Sequence, residues 1–271
     1  QLRRARCDKC WLRLMSNPIL NKALMIPAAD QTSFIGAWLT LASPLVAEAV
    51  AAIGYDWLLI DAEHGPNDIP SVLAQLQAVA AYSAIPVVRL PNHDASLIKR
   101  YLDIGASNLL VPMVDNPAQA EAIVSATRYP VTGIRGVGAG LARASRWSLN
   151  GEYLTSANTE VRVIVQIETE TGLSNLSDIL SVPGIDAVFF GPADIAASFG
   201  RLGESTDEAI QEAVVRGIEQ AAAAGISSGV FAGDQAFLKR CERAGARLLG
   251  VTSDAGILIA GGKQVLAGFR G

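Results

Sequence analysis

Cysteine is scarce in this chain of 271 residues: Cys7, Cys10 and Cys241 are the only three. Three thiols cannot build a disulfide framework, and such a shortage fits a reducing cytoplasm. Cys7 and Cys10 form a CxxC, but a zinc site needs a second ligand pair. None stands nearby, and the pair reads as incidental. Long apolar runs are missing too. The most apolar stretches last about 8–10 residues, well short of the roughly 20 that span a bilayer, so no membrane partner is expected. A basic excess is also absent: Lys and Arg number 22 against 26 Asp and Glu, a net charge of −4. Non-specific nucleic-acid binding needs the opposite balance, and no nucleic-acid partner is expected. Lysine is rare, at Lys9, Lys22, Lys99, Lys239 and Lys263, and none follows an expected strand. A Schiff-base aldolase needs an amine in its reaction cavity, which sets that mechanism aside.

The N-terminus does not read as a signal peptide, because Arg13, Asn17, Pro18, Asn21 and Lys22 interrupt any apolar region. Met15-Ser16-Asn17-Pro18 looks like a natural start. Residues 1–14, with five basic groups and one acid, read as a vector or upstream remnant. Residues 1–31 are expected to be an N-terminal extension, and residues 32–271 the folded domain.

Half of the residues are apolar and 18% are charged, the balance of a globular protein. One unit recurs: a helix ends at a glycine and a short apolar strand follows. It appears at Gly54, Gly105, Gly184, Gly225 and Gly245. Helix starts are marked by Ser43-Pro44, Asn116-Pro117 and Asp68 two residues before Pro70. Ser205 and Glu208 fit a capping box. Leu58-Leu59-Ile60, Pro86-Val87-Val88 and Val163-Ile164-Val165 are β-formers without polar alternation, as in strands covered on both faces. The expected strands are 34–39, 57–60, 86–88, 108–111, 161–166, 187–190, 228–231 and 247–251. Eight such units, mostly separated by helical patterns, predict an α/β fold, a single (β/α)8 TIM barrel with a C-terminal helix. Residues 129–160 are expected to be a long functional loop.

In this fold the chemistry lies at the carboxyl ends of the strands. Strand two is followed by Asp61, Glu63 and His64, and strand three by Arg89. Strand five runs into Gln166 and Glu168, and strand six into Gly191, Pro192, Ala193 and Asp194. Glu168 and Asp194 would repel unless protonated, paired with arginines or shared by a cation. Oxygen ligands with open positions suit Mg²⁺ or Mn²⁺. His64, three residues after Asp61, fits a general base oriented by a carboxylate, or a loop cap. Arg89 fits an oxyanion or carboxylate holder, or a salt bridge to Asp61, Glu63 or Glu168. Gly191–Asp194 opens a short helix whose free N–H groups could hold a carboxylate. His93 reads as structural. The glycines at 136, 138 and 140 lack nucleotide-loop spacing, so no nucleotide is expected.

Several stretches together are more specific: Trp57–Asn67, Pro86–Arg89, Leu109–Met113, Gly133–Gly138, Ala142–Trp147, Val165–Thr169 and Gly191–Asp194. Over about residues 34–260 the chain resembles the HpcH/HpaI aldolase family. The resemblance is to its 4-hydroxy-2-oxoheptanedioate aldolase type, class II pyruvate aldolases of the phosphoenolpyruvate/pyruvate superfamily. It implies that Glu168 and Asp194 hold a divalent metal ion (Mg²⁺, Mn²⁺ or Co²⁺) and that Arg89 opposes charge on the pyruvate keto oxygen. It implies His64 as acid/base with Asp61 as its orienting partner, and Gln166 beside the metal. Gly191, Pro192 and Ala193 would hold the pyruvate carboxylate, with Trp38 in the site wall. It further implies a homo-hexamer with exchanged C-terminal helices, in which Asp103 and the loop around Val137 reach a neighbouring site. The partners would be a 2-oxo acid, pyruvate or hydroxypyruvate, and an aldehyde. Two departures, Thr40 after Trp38-Leu39 and the strand end Gly229–Gly233, bear on the acceptor. The alternatives are a carbon–carbon lyase acting on oxaloacetate or acyl-CoA thioesters, and a non-catalytic barrel that only binds.

Overall fold

The computed structural model describes residues 23–28 and 31–270. The Cys7–Cys10 pair, Met15 and residues 1–14 lie outside the described residues. Eight parallel strands close into a barrel in chain order. They are β1 (Phe34–Leu39), β2 (Trp57–Asp61), β3 (Ile85–Arg89), β4 (Asn108–Val111), β5 (Arg162–Ile167), β6 (Ala187–Phe190), β7 (Ser227–Phe231) and β8 (Ala246–Ser253). The helices that alternate with them are α1 (Pro44–Ala51), α2 (Ile69–Val79), α3 (Ala95–Asp103), α4 (Pro117–Thr127), α5 (Tyr153–Glu160), α6 (Glu170–Ser174), α7 (Leu176–Leu180), α8 (Pro192–Ser198), α9 (Glu208–Ala223), α10 (Gln235–Ala244) and α11 (Asp254–Arg270). This is the expected (β/α)8 barrel. Strand bounds differ from the sequence reading by one or two residues, and β2 and β3 extend to include Asp61 and Arg89.

Two apolar layers hold it together. The outer faces of the strands meet the helices through residues such as Leu58, Ile60, Val88, Val163, Val165 and Val188. The inner faces fill the barrel with Trp57, Leu59, Val87, Leu110, Ile164, Ala187, Phe189 and Leu248. Strand side chains alternate with period two. Continuing inward from Leu59, Val87 and Ile164 therefore puts Asp61, Arg89 and Gln166 one step nearer the mouth. Gly36 in β1 has a specific cause: a Cβ there would lie 2.1 Å from the Trp57 ring.

The expected N-caps are present. Ser43, Asp68 and Asn116 accept from the backbone N–H of Val46, Ser71 and Gln119. The five helix-ending glycines all have positive φ, and Gly245 closes α10 at φ 117°. Two expectations need correction. The capping box at Ser205 does not form: α9 starts at Glu208, and Asp207 caps it by accepting from Ala209 N–H at 2.9 Å. An acid immediately before the helix takes the role that a serine two residues further back cannot. Residues 129–160 are not wholly irregular either. They hold two 3-10 turns, Ala139–Leu141 and Arg143–Ser145, and then α5. Tyr129, Ala139, Ala144, Tyr153 and Ala157 form their own small core. Buried Arg135 lies 4.4 Å from the Tyr129 ring centre and donates to Tyr153 Oη at 3.0 Å.

The segment before β1 closes the barrel floor. Leu24 is fully buried among the inner-layer residues, and its N–H donates to Asn108 Oδ1 at 2.7 Å, at the start of β4. Leu24→Ala is expected to cost about 2–5 kcal/mol, the usual range for a buried leucine. A lowered denaturation midpoint in urea checks this, and an unchanged midpoint would show that the floor does not depend on it.

Candidate active site

The barrel mouth is organised around Arg89. In the parallel register Asp61 on β2 stands beside Arg89 on β3. The guanidinium donates from Nε to Asp61 Oδ1 at 2.9 Å and from Nη2 to Oδ2 at 2.8 Å. Its Nη1 lies 2.7 Å from Glu63 Oε2, and its carbon lies 4.3 Å from the Trp38 ring centre. Both Arg89 and Asp61 are buried. Planar bidentate pairing of this kind fixes the arginine's plane as well as its position.

Asp61 does not orient the His64 imidazole. Arg89 occupies both of its oxygens, and Oδ1 also accepts the backbone N–H of Glu63 at 3.1 Å and of His64 at 3.3 Å. The carboxylate therefore shapes the turn that carries His64 and leaves the ring to project, exposed, at the cavity edge. This corrects the expected Asp61–imidazole contact. A guanidinium fork in register competes better than a ring three residues away.

Glu168 follows β5 and is buried. Its Oε1 accepts from Gln166 Nε2 at 2.6 Å and its Oε2 from Met113 N–H at 3.1 Å. Burial, then the neighbouring Glu63 and Asp194 carboxylates, push it up to about 8, against the Met113 N–H and Arg89. Glu63 is raised as well, chiefly by burial. Both Glu168 oxygens already accept donors, so the surroundings suit the ionised form while lacking the positive charge to hold it. Gly191 leaves room for this carboxylate, since a Cβ there would sit 2.7 Å from Glu168 Oε1. Gln166 Oε1 is buried and has no partner. These features fit a divalent cation between Glu168 and Asp194. Among the described residues no three His, Cys, Asp or Glu side chains gather to cage an ion. Two carboxylates would leave the other positions to water and substrate.

A cavity of about 320 Å³ opens above this layer. Trp38, His64, Arg89, Gln166, Gly191, Pro192, Ala193 and Asp194 line it, together with Phe189, Phe231, Phe237, Ser205, Thr206, Gln211 and Asp234. The structure thus gathers most of the residues expected at the site. Asp103 and Val137 do not line this cavity. Asp103 accepts from Arg135 Nη2 at 2.9 Å, and Val137 lies exposed in the following loop. The wall from Ser205 to Phe237 went unseen in the sequence. Period two could have extended the inner face to Phe189 and Phe231, but nothing local marks Gln211. Lys99, Lys239 and Lys263 sit on α3, α10 and α11.

A family model described as HpcH/HpaI aldolase/citrate lyase matches residues 35–260. The chain belongs to this family. It is 48% identical over 236 residues to a hydroxypyruvate/pyruvate aldolase of Deinococcus radiodurans, covering 87% of this chain and 85% of that one. It is 49% identical over 235 residues to a 4-hydroxy-2-oxo-heptane-1,7-dioate aldolase of Salmonella arizonae, covering 87% and 89%. A solved HpcH/HpaI aldolase/citrate lyase family protein from Burkholderia cenocepacia J2315 superimposes with a TM-score of 0.86 at 38% identity, covering 96% and 99%. The family assignment agrees with the residues gathered at the mouth.

Gly191→Ala tests the carboxylate cradle. The added methyl is expected to displace Glu168 and weaken Mn²⁺ binding at least tenfold in a calorimetric titration, with the melting temperature little changed. Unaltered Mn²⁺ affinity would separate Glu168 from the cation.

Proposed function

We propose that this chain is a class II aldolase that cleaves and forms 4-hydroxy-2-oxo acids, with pyruvate or a close 2-oxo acid such as hydroxypyruvate as donor and an aldehyde as acceptor. The observation that carries it is the fixed Arg89 guanidinium beside the Glu168–Asp194 pair, at one end of a cavity walled by the Gly191–Ala193 backbone. Similarity to named aldolases at 45–49% identity supports it.

Glu168 and Asp194 would hold the divalent metal ion, whose chemistry is Lewis-acid stabilisation of negative charge on the keto oxygen. Arg89 opposes the same charge from a position that needs no reorganisation. Gly191, Pro192 and Ala193 present backbone to the donor carboxylate, and Gln166 steadies Glu168 while facing the donor. Trp38 closes the wall over Arg89. In cleavage, His64 takes the proton of the 4-hydroxyl. The C4–O electrons form the aldehyde carbonyl, the C3–C4 bond breaks, and its pair passes into the donor enolate. A proton returned to C3 gives the 2-oxo acid.

The C-terminal helix supports an oligomer. All of α11 after Asp254 is solvent-exposed in the single chain, including Leu258, Ile259, Val265, Leu266 and Phe269. Meanwhile a cavity of about 260 Å³, lined by Ile35, Leu238, Leu249 and Val251, lies against the outer face of β1 and β8. A partner's α11 would cover such surface, giving a homo-hexamer with exchanged helices. Asp103 and Val137 would then reach a neighbouring site. The scarcity of cysteine supports a cytoplasmic setting.

Two experiments test this. In D₂O the metal-loaded protein is expected to exchange the pyruvate methyl protons, followed by NMR, and to stop when EDTA is added. Arg89→Lys should keep the fold and lose at least a hundredfold in exchange rate, because a point charge replaces a planar fork. Metal-independent exchange or none, or full activity in Arg89→Lys, would refute the mechanism. Ending the chain at Ser253 is expected to turn the hexamer into smaller species by light scattering, and an unchanged mass would refute helix exchange.

A further inference from the structure

One nearly buried side chain in the cavity has no partner within the protein. Gln211 lies in the first turn of α9 and is only 9% exposed. It lines the cavity, and among the described residues its amide makes no hydrogen bond. A buried amide left unpaired is costly, so its presence at a ligand cavity points to a ligand group that satisfies it. Beside it on the same wall stand Ser205 and Thr206.

Charge narrows the kind of ligand. The basic side chains lining the cavity are Arg89 and His64, and Arg89 is already engaged by Asp61 and Glu63. Asp194 and Asp234 add negative charge. An acceptor ending in a carboxylate would meet acids with no free cation opposite them, whereas a hydroxyl can both donate to and accept from an amide. The volume of about 320 Å³ is near the lower end of small-molecule sites and favours a short acceptor.

We propose that Gln211 determines acceptor specificity: the site takes a short, uncharged aldehyde bearing a hydroxyl, and the Gln211 amide hydrogen-bonds that hydroxyl. The proposal rests on the aldolase reading above. It names a residue and a substrate class that the reading itself leaves open.

The test measures kcat/KM of the full-length, Mn²⁺-loaded enzyme for addition of pyruvate to three aldehydes. They are glyceraldehyde, propanal as its counterpart without hydroxyls, and 4-oxobutanoate, which ends in a carboxylate. Glyceraldehyde should be preferred over both others. Gln211→Met, of similar size but without the amide, should lower the glyceraldehyde-to-propanal ratio about tenfold, the value of one hydrogen bond. Gln211→Arg should shift preference toward 4-oxobutanoate. A wild-type preference for 4-oxobutanoate, or an equal loss for glyceraldehyde and propanal in Gln211→Met, would overturn the proposal. The wild-type order needs no variant to fold. Pyruvate exchange in D₂O separates the two failures: exchange with an unchanged ratio removes Gln211 alone, and no exchange removes the aldolase reading and this proposal with it.

Discussion

The pairing of Asp61 with Arg89 is the contact on which the rest of the mouth depends. It follows from parallel strand register, which sets the last residue of β2 beside the last of β3 on the same inner face. A buried arginine is tolerable only when its charge is met, and breaking such a pair by removing one partner costs about 3–5 kcal/mol. Here the partner does more than neutralise. Asp61 fixes the guanidinium plane, holds the turn that carries Glu63 and His64 through their backbone N–H groups, and so sets where His64 stands. Trp38 stacks over the same guanidinium, which ties β1 to the assembly.

The carboxylates form the opposite half of this arrangement. Glu63, Glu168 and Asp194 stand close enough that Glu168 is pushed up to about 8 despite two donors on its oxygens. Hydrophobic packing supplies the rigidity that keeps them there. The layer of Trp57, Leu59, Val87, Ile164 and Phe189 immediately below admits no retreat. Leu24, outside the barrel strands in sequence, closes the layer from beneath. A floor packed to this density lets the mouth keep an excess of negative charge, because the charged groups cannot relax downward to escape one another.

Much of this was legible residue by residue. Strands buried on both faces lose polar alternation, so runs such as Val163-Ile164-Val165 marked the sheet. Proline after a capping side chain marked helix starts at Ser43 and Asn116, and glycine marked helix ends, because both effects act within one turn of chain. Where local signals competed, the reading slipped. Ser205 looked like a cap, yet Asp207 was better placed. Residues 129–160 looked irregular because their small core is built from Tyr129, Ala139 and Tyr153, too far apart in sequence to make a periodic pattern. Asp61 looked like a partner for nearby His64, while its real partner, Arg89, lies 28 residues away.

The sequence by itself determined the barrel, the strand ends from which the functional groups project, and the family to which they belong. These rest on local backbone preference and on long ordered motifs. Tertiary structure decided which of those groups touch. It gave Asp61 to Arg89, placed Met113 N–H on Glu168, excluded Asp103 and Val137 from this chain's own cavity, and brought Gln211 from the next helix into it. Such choices depend on strand register and helix rotation, which are settled by packing among residues distant in sequence and leave no mark on any short stretch of it.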